Sequence, residues 1–156
     1  MIAIVGIGQS LRGDDAAGQK AVVHWQSLYP TSANTPDLRV ELLELPGLAL
    51  LDYLEGAHRV LLVDAVRSGA APGSLHLLSE ADLAAFGADS GSAHGWGVAE
   101  TLALRRKLHP EKMPARVDIL GIEAGDVSLG EALSAGVQAA LDQAAAMIAT
   151  WLDEKA

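Results

Sequence analysis

The chain has 156 residues, of which 50% are hydrophobic, and this excludes intrinsic disorder because so apolar a chain buries enough surface to offset the entropy lost on folding. It contains no cysteine, which excludes disulfide scaffolds, cysteine nucleophiles and thiolate metal sites. The formal net charge of −9 argues against nucleic acid as a partner, since phosphates need a basic surface.

The first half of the chain alternates short apolar runs with helical periodicity. Residues 2–6 predict a buried strand, and residues 38–45 predict a second one. Between them, apolar residues three and four positions apart predict a helix from Asp14 to about Tyr29, which Pro30 ends. A short helix over residues 48–54 follows the second strand.

The second half adds three strands and three helices. Residues 59–64 predict a buried strand, and residues 74–78 predict its antiparallel partner, because the connection is too short for a parallel crossover. Helices are predicted over residues 79–86, from about 98 to 108 and from about 133 to 152, with a fifth strand over 116–122. We therefore expect one domain over residues 1–156: a three-layer α/β/α sandwich with a five-stranded, mostly parallel sheet and one antiparallel strand.

Localisation follows from the N-terminus and from the length of the apolar runs. No basic stretch precedes the first apolar residues, as it would in a signal peptide. No apolar run approaches the roughly 18–20 residues of a membrane helix. We expect a cytoplasmic protein with no membrane partner.

Polar residues that follow the strands are the first candidates for a functional site, because open parallel sheets bind ligands beyond the carboxyl ends of their strands. Asp14 and Asp15 follow the first strand, Asp64 ends the central strand, and His94 lies in a polar segment before a helix. Carboxylates and an imidazole suit a divalent cation such as nickel or zinc, and three protein ligands leave coordination positions open.

Each of these residues also has a structural interpretation. Asp14 and Asp15 are placed to cap a helix, which leaves one of the pair for function. Asp64 fits a residue with structural hydrogen bonds, and His94 fits an ordinary histidine in a loop. Gly6, Gly8 and Gly13 also fit turn positions that need positive φ. The remaining histidines lack acidic neighbours at strand ends and are interpreted as structural: His24, His58, His76 and His109.

Two other classes of site fit less well. A dinucleotide fingerprint begins at Gly6 and Gly8, but Leu11 replaces its third glycine and two aspartates stand where a pyrophosphate would bind. A serine hydrolase would use Ser10 or Ser92 with His94, but no segment supplies a recognisable oxyanion hole.

Several motifs in a fixed order resemble the hydrogenase maturation endopeptidases, the nickel-dependent processing proteases of [NiFe] hydrogenases. The matching stretches cover almost the whole chain: VGIGQSLRGDDAAG at 5–18, LLVDAV at 61–66, APGS at 71–74, SAHG at 92–95, LGIE at 120–123 and LS at 133–134. One departure is Gln9, where the family usually has asparagine.

The resemblance implies a site and a substrate. Its three metal ligands, which would also be the catalytic residues, fall on Asp15, Asp64 and His94, and Gly8, Gln9 and Gly95 are expected to contact substrate. The implied metal is nickel delivered within the substrate, with zinc or cadmium as possible surrogates. The implied activity is aspartic-type or metal-assisted removal of a C-terminal extension from the precursor of a hydrogenase large subunit. A non-catalytic nickel-binding chaperone and a general peptidase stay open as alternatives.

Overall fold

The structure is a computed structural model that describes residues 1–86, 97–130 and 132–154. In those ranges five strands form one sheet: β1 (Ile2–Gly8), β2 (Leu38–Glu44), β3 (Arg59–Val66), β4 (Leu75–Ser79) and β5 (Arg116–Glu123). The α-helices in the same ranges are α1 (Ala17–Leu28), α2 (Pro30–Ala33), α3 (Leu50–Leu54), α4 (Glu80–Phe86), α5 (Val98–Leu108) and α6 (Ala135–Asp153). None of these helices is long and apolar enough to cross a membrane.

The strand order β2-β1-β3-β5-β4 confirms a mostly parallel sheet with one antiparallel strand. The predicted pairing of the third and fourth strands is wrong, because β4 is antiparallel but bonds to β5. Burial explains the arrangement. Apart from Arg116, β5 is buried along its whole length and takes an interior position, whereas β4 carries the exposed Leu77 and takes the edge.

Helices cover both faces of the sheet and complete the three layers. On one face, α1 and α6 pack on β-strand side chains through Trp25, Ile148 and Trp151. On the other face, the helices α3, α4 and α5 contribute Leu50, Leu83 and Leu102. The predicted α/β/α sandwich is therefore confirmed.

Glycine at the start of α1 sets how closely this helix approaches the sheet. A Cβ atom at Gly18 would lie 2.2 Å from the carbonyl oxygen of Val63 and 2.5 Å from that of Ile7. No side chain fits at this position, so the first turn of α1 packs directly against the backbones of β1 and β3. The segment that connects β1 to α1 is thereby held at the carboxyl ends of these two strands.

Candidate active site

The connection after β1 carries the first predicted site residues. Residues 13–16 form a 3-10 turn, in which Gly13 has a φ of 55° and lies so close to Asp126 that a Cβ would be 2.6 Å from its carbonyl oxygen. The Asp15 amide donates to the carbonyl oxygen of Arg12 at 3.0 Å, and its own carbonyl accepts from the amide of Gln9 at 3.3 Å. Asp15 is 6% exposed, so the turn presents a carboxyl group in a largely dehydrated position.

Asp14 holds the β5–α6 loop in place, whereas its sequence position predicts a cap for its own helix. Its carboxylate accepts hydrogen bonds from the amides of Gly125, Asp126 and Ser134 at 2.7–2.9 Å, and from the Ser134 hydroxyl at 2.7 Å. Burial raises the pKa of Asp14, but the hydrogen bonds from these three residues outweigh burial and lower it below its usual value. The capping interpretation is wrong for Asp14, because its carboxylate accepts hydrogen bonds from the β5–α6 loop instead.

Asp64 lies two residues inside the end of β3, since the strand continues to Val66 rather than ending at the aspartate. Its Oδ1 atom accepts a hydrogen bond from the amide of Ala65 at 2.8 Å. Burial, together with the negative charge of Asp15, raises the pKa of Asp64 to about 8. The carboxyl group is therefore protonated at neutral pH unless a cation or a positively charged group reaches it.

Asp15 and Asp64 are brought together by the fold, because the 3-10 turn packs against β3 and the two carboxyl groups interact electrostatically. The third predicted ligand, His94, lies outside the described residues, as do Gly95 and Ser92. Across the described ranges, no group of three histidine, aspartate or glutamate side chains has a metal-site arrangement. The described part of the site is therefore a pair of acidic side chains, which fits a divalent cation in its charge and its oxygen donors.

Gly8 and Gln9, predicted to contact substrate, lie beside this pair. Gly8 is the last residue of β1, and a Cβ there would lie 2.3 Å from the carbonyl oxygen of Asp15. The half-buried Gln9 follows and is hydrogen-bonded through its backbone to the turn. Positive φ is confirmed at Gly13 but not at Gly6 or Gly8, because β1 extends through both.

Glu123 is a buried acid whose hydrogen-bonding role the sequence analysis does not predict. It ends β5, is 1% exposed, and accepts hydrogen bonds from the amides of Ser68 and Gly69, from the Ser68 hydroxyl and from His76. The prediction that His76 has no acidic neighbour at a strand end is wrong, since its Nε2 lies 3.2 Å from Glu123. A carboxylate at the end of an apolar strand, the signal that identified Asp64, also applies to Glu123.

Ser10, one of the two candidate serine nucleophiles, is hydrogen-bonded to an acid. Its hydroxyl and its amide both donate to the carboxylate of Glu44, which ends β2. These contacts tie the connection after β1 to the neighbouring strand.

An α/β sandwich with a buried acid, Asp15, and a half-buried acid, Asp64, at the carboxyl ends of its parallel strands defines a protein with an acidic sheet edge. Residues 36–151 match the family model of HycI, the hydrogenase maturation protease. This match covers more than half of the chain, so the chain belongs to the hydrogenase maturation protease family, whose members are hydrolases of peptide bonds.

Individual proteins agree with the family match. The chain is 26% identical over 157 residues to the hydrogenase expression/formation protein HoxM of Cupriavidus necator, covering 97% of this chain and 75% of that protein. It is 28% identical over 158 residues to HupD of Rhodobacter capsulatus, covering 96% and 72%. Its fold is similar to that of the hydrogenase maturating endopeptidase HybD of E. coli, with a TM-score of 0.81, 25% identity and coverage of 97% and 91%. For the [NiFe] hydrogenase maturation protease HybD of Thermococcus kodakarensis, the TM-score is 0.72 at 25% identity, with coverage of 97% and 99%.

Proposed function

We propose that this protein is an endopeptidase that removes the C-terminal extension from the nickel-loaded precursor of a [NiFe] hydrogenase large subunit. The observation that carries the proposal is the convergence of Asp15 and Asp64, from two different elements, at the edge of the sheet. A buried acid and a half-buried acid whose negative charges repel each other favour a cation between them. Nickel carried by the precursor supplies this cation as part of the substrate.

In the proposed mechanism, Asp15 and Asp64 bind the substrate's nickel together with His94. Carboxylate oxygens and an imidazole nitrogen are suitable ligands for nickel, and the remaining coordination positions belong to the precursor. Binding at this edge places the peptide to be cut beside the two acids. Either carboxylate is positioned to accept a proton from the attacking water, while the precursor's metal polarises the peptide carbonyl.

The turn around Asp15 supplies the rigidity that such a site needs. Gly8 lets the backbone of the 3-10 turn approach β1, and Asp14 ties the same turn to the β5–α6 loop. The site acid is therefore held by backbone contacts on two sides, which keeps the carboxylate near one position before substrate arrives.

The test is in-vitro processing of purified precursor, with and without nickel, followed by mass spectrometry of the large subunit. We expect the wild-type protein to shorten only the nickel-loaded precursor. Asp15→Asn, Asp64→Asn and His94→Ala are expected to lower the rate by about 100-fold or more. Asp52→Asn, on the exposed side of α3, is the matched control and is expected to cut at the wild-type rate.

The same assay separates the competing functions. An unchanged precursor mass with retained nickel binding indicates the non-catalytic chaperone, and labelling of Ser10 or Ser92 by a fluorophosphonate indicates a serine hydrolase. Digestion of casein indicates a general peptidase. Wild-type rates in both Asp64→Asn and His94→Ala contradict the site assignment.

A further inference from the structure

Four leucines are exposed on connections at the sheet edge that carries the acidic pair. Leu11 follows β1, Leu45 and Leu48 follow β2, and Leu129 follows β5; their exposed fractions are 58%, 43%, 50% and 79%. We call these four residues the leucine rim. All of them follow the carboxyl ends of parallel strands, which is the edge where Asp15 and Asp64 lie.

Hydrogen bonds join the connections that carry the leucine rim. The amide of Gly130, next to Leu129, donates to the carbonyl oxygen of Leu11 at 3.0 Å. On the other side of Leu11, Ser10 donates to Glu44, which immediately precedes Leu45. The three connections are therefore joined to one another, and their leucines border a single edge of the molecule.

Backbone conformation indicates that Leu45 is held in its exposed position. Its φ is 43°, the only positive value among the non-glycine residues that the structure describes. A leucine in the left-handed region is strained, so the surrounding structure must fix this conformation. Strained backbone residues cluster at functional sites, so the exposed Leu45 is a candidate recognition element.

Charge around the rim restricts the partner. Glu44 precedes Leu45, Asp126 lies three residues before Leu129, and the exposed Arg12 follows Leu11; the chain as a whole carries a net charge of −9. The negative net charge opposes an anionic lipid surface, and the exposed leucines between charges of both signs suit an apolar protein surface with a polar border.

We propose that the leucine rim is the docking surface for the folded body of the hydrogenase large-subunit precursor, with the acidic pair receiving the peptide to be cut. This inference rests on the proposed function and adds to it the surface that selects the substrate. A protease whose recognition energy comes from a folded apolar surface does not cut unfolded chains at comparable rates, because they lack that surface.

The experiment measures equilibrium binding of nickel-loaded precursor to the wild-type protein and to two triple variants. The rim variant combines Leu11→Ser, Leu48→Ser and Leu129→Ser. The control variant combines Leu28→Ser, Leu77→Ser and Leu108→Ser, whose leucines are 49%, 44% and 59% exposed at other places on the surface. We expect the rim variant to bind at least 10-fold more weakly, to process with a raised KM and a kcat within twofold of wild type, and the control variant to match wild type in each value.

Equal binding by the two triple variants overturns the proposal. So does a wild-type dimer that the rim variant converts to monomer with unchanged precursor binding, since the rim then joins copies of this chain. Failure of the proposed function is distinguishable, because it appears as precursor that the wild-type protein binds but does not shorten. Melting temperatures of the variants, expected to equal the wild-type value, show that each is folded.

Discussion

The neighbouring aspartates 14 and 15 show how the environment of a carboxyl group decides its role. Asp14 is surrounded by hydrogen-bond donors and serves as a structural anchor, whereas Asp15 faces the carboxyl group of Asp64. The two residues are identical in type, adjacent in sequence and both buried. From sequence, one of the pair is expected to be structural and the other functional, but local pattern does not say which, because the donors to Asp14 come from more than 110 residues away.

The raised pKa of Asp64 predicts a pH dependence of stability. Asp64 titrates near pH 8 in the folded state and near pH 4 when unfolded, so between these values only the folded state keeps the proton. Its contribution to stability is therefore greatest below pH 4 and falls as the pH rises towards 8. We expect Asp64→Asn to remove this fall and to stabilise the metal-free protein at pH 9 by about 1–3 kcal/mol relative to wild type.

Thermal unfolding at pH 5, 7 and 9 in the presence of a chelator measures this effect. Asp64→Asn is expected to raise the melting temperature by several degrees at pH 9 and by less at pH 5. The exposed Asp52→Asn variant controls for the general loss of a negative charge. Parallel pH profiles for wild type and Asp64→Asn are the contrary result, because they mean that Asp64 is already ionised in the folded protein at pH 5.

At the scale of the elements, the sequence predicts the order and the type of the strands and helices well. It predicts less well which strands pair with each other. Periodicity identifies the buried strands and the long helix α6 to within a few residues. Periodicity does not predict that β4 pairs with β5, because pairing depends on which strand occupies the interior position of the sheet. The serine that opens α4 is a cap that sequence does predict: the hydroxyl of Ser79 donates to Asp82, whose amide donates back to it at 3.2 Å.

The anchor between the 3-10 turn and the β5–α6 loop predicts a specific effect of Asp14→Asn. The asparagine directs an NH₂ group at amides that need an acceptor, so we expect the protein to lose about 2 kcal/mol or more at neutral pH. Because the folded-state pKa of Asp14 is lowered, its contribution is present above the unfolded pKa and disappears as the pH falls through the folded pKa. The destabilisation by Asp14→Asn is therefore expected to shrink below pH 4.

Hydrogen exchange locates this effect. The amides of Gly125, Asp126 and Ser134 donate to Asp14 and are expected to exchange faster in Asp14→Asn, whereas the amides of β1 keep their protection. Asp37→Asn, an exposed aspartate before β2, is the control. Unchanged exchange at all three amides in Asp14→Asn contradicts the anchoring role.

At the scale of the whole molecule, the sandwich architecture and the edge that carries the site both follow from sequence, because alternating strands and helices permit few arrangements and ligands bind at one end of a parallel sheet. The hydrogen-bond donors to the buried acids cannot be predicted from sequence in the same way. Glu123 and Asp14 find their donors in segments whose positions depend on the complete sheet.

One sheet runs through both halves of the chain, and this predicts a single cooperative unfolding transition. Side chains of β3 and β5 contribute to the core on each face, so neither layer of helices can detach without exposing the apolar surface of both strands. We expect one calorimetric peak with an enthalpy of about 110 kcal/mol near 60 °C, equal to the van't Hoff enthalpy. Two separable peaks contradict the assignment of residues 1–156 to one domain.

The anchoring of Asp14 by Ser134 also bears on when this protein becomes active during its synthesis. The turn near the start of the polypeptide receives its hydrogen bonds from residues 125–134, which the ribosome adds more than a hundred residues later. Contacts so distant along the chain form late. Until this segment has been synthesised, the Asp14 carboxylate lacks these donors, so the turn that carries Asp15 becomes fixed only after residues 125–134 have joined the fold.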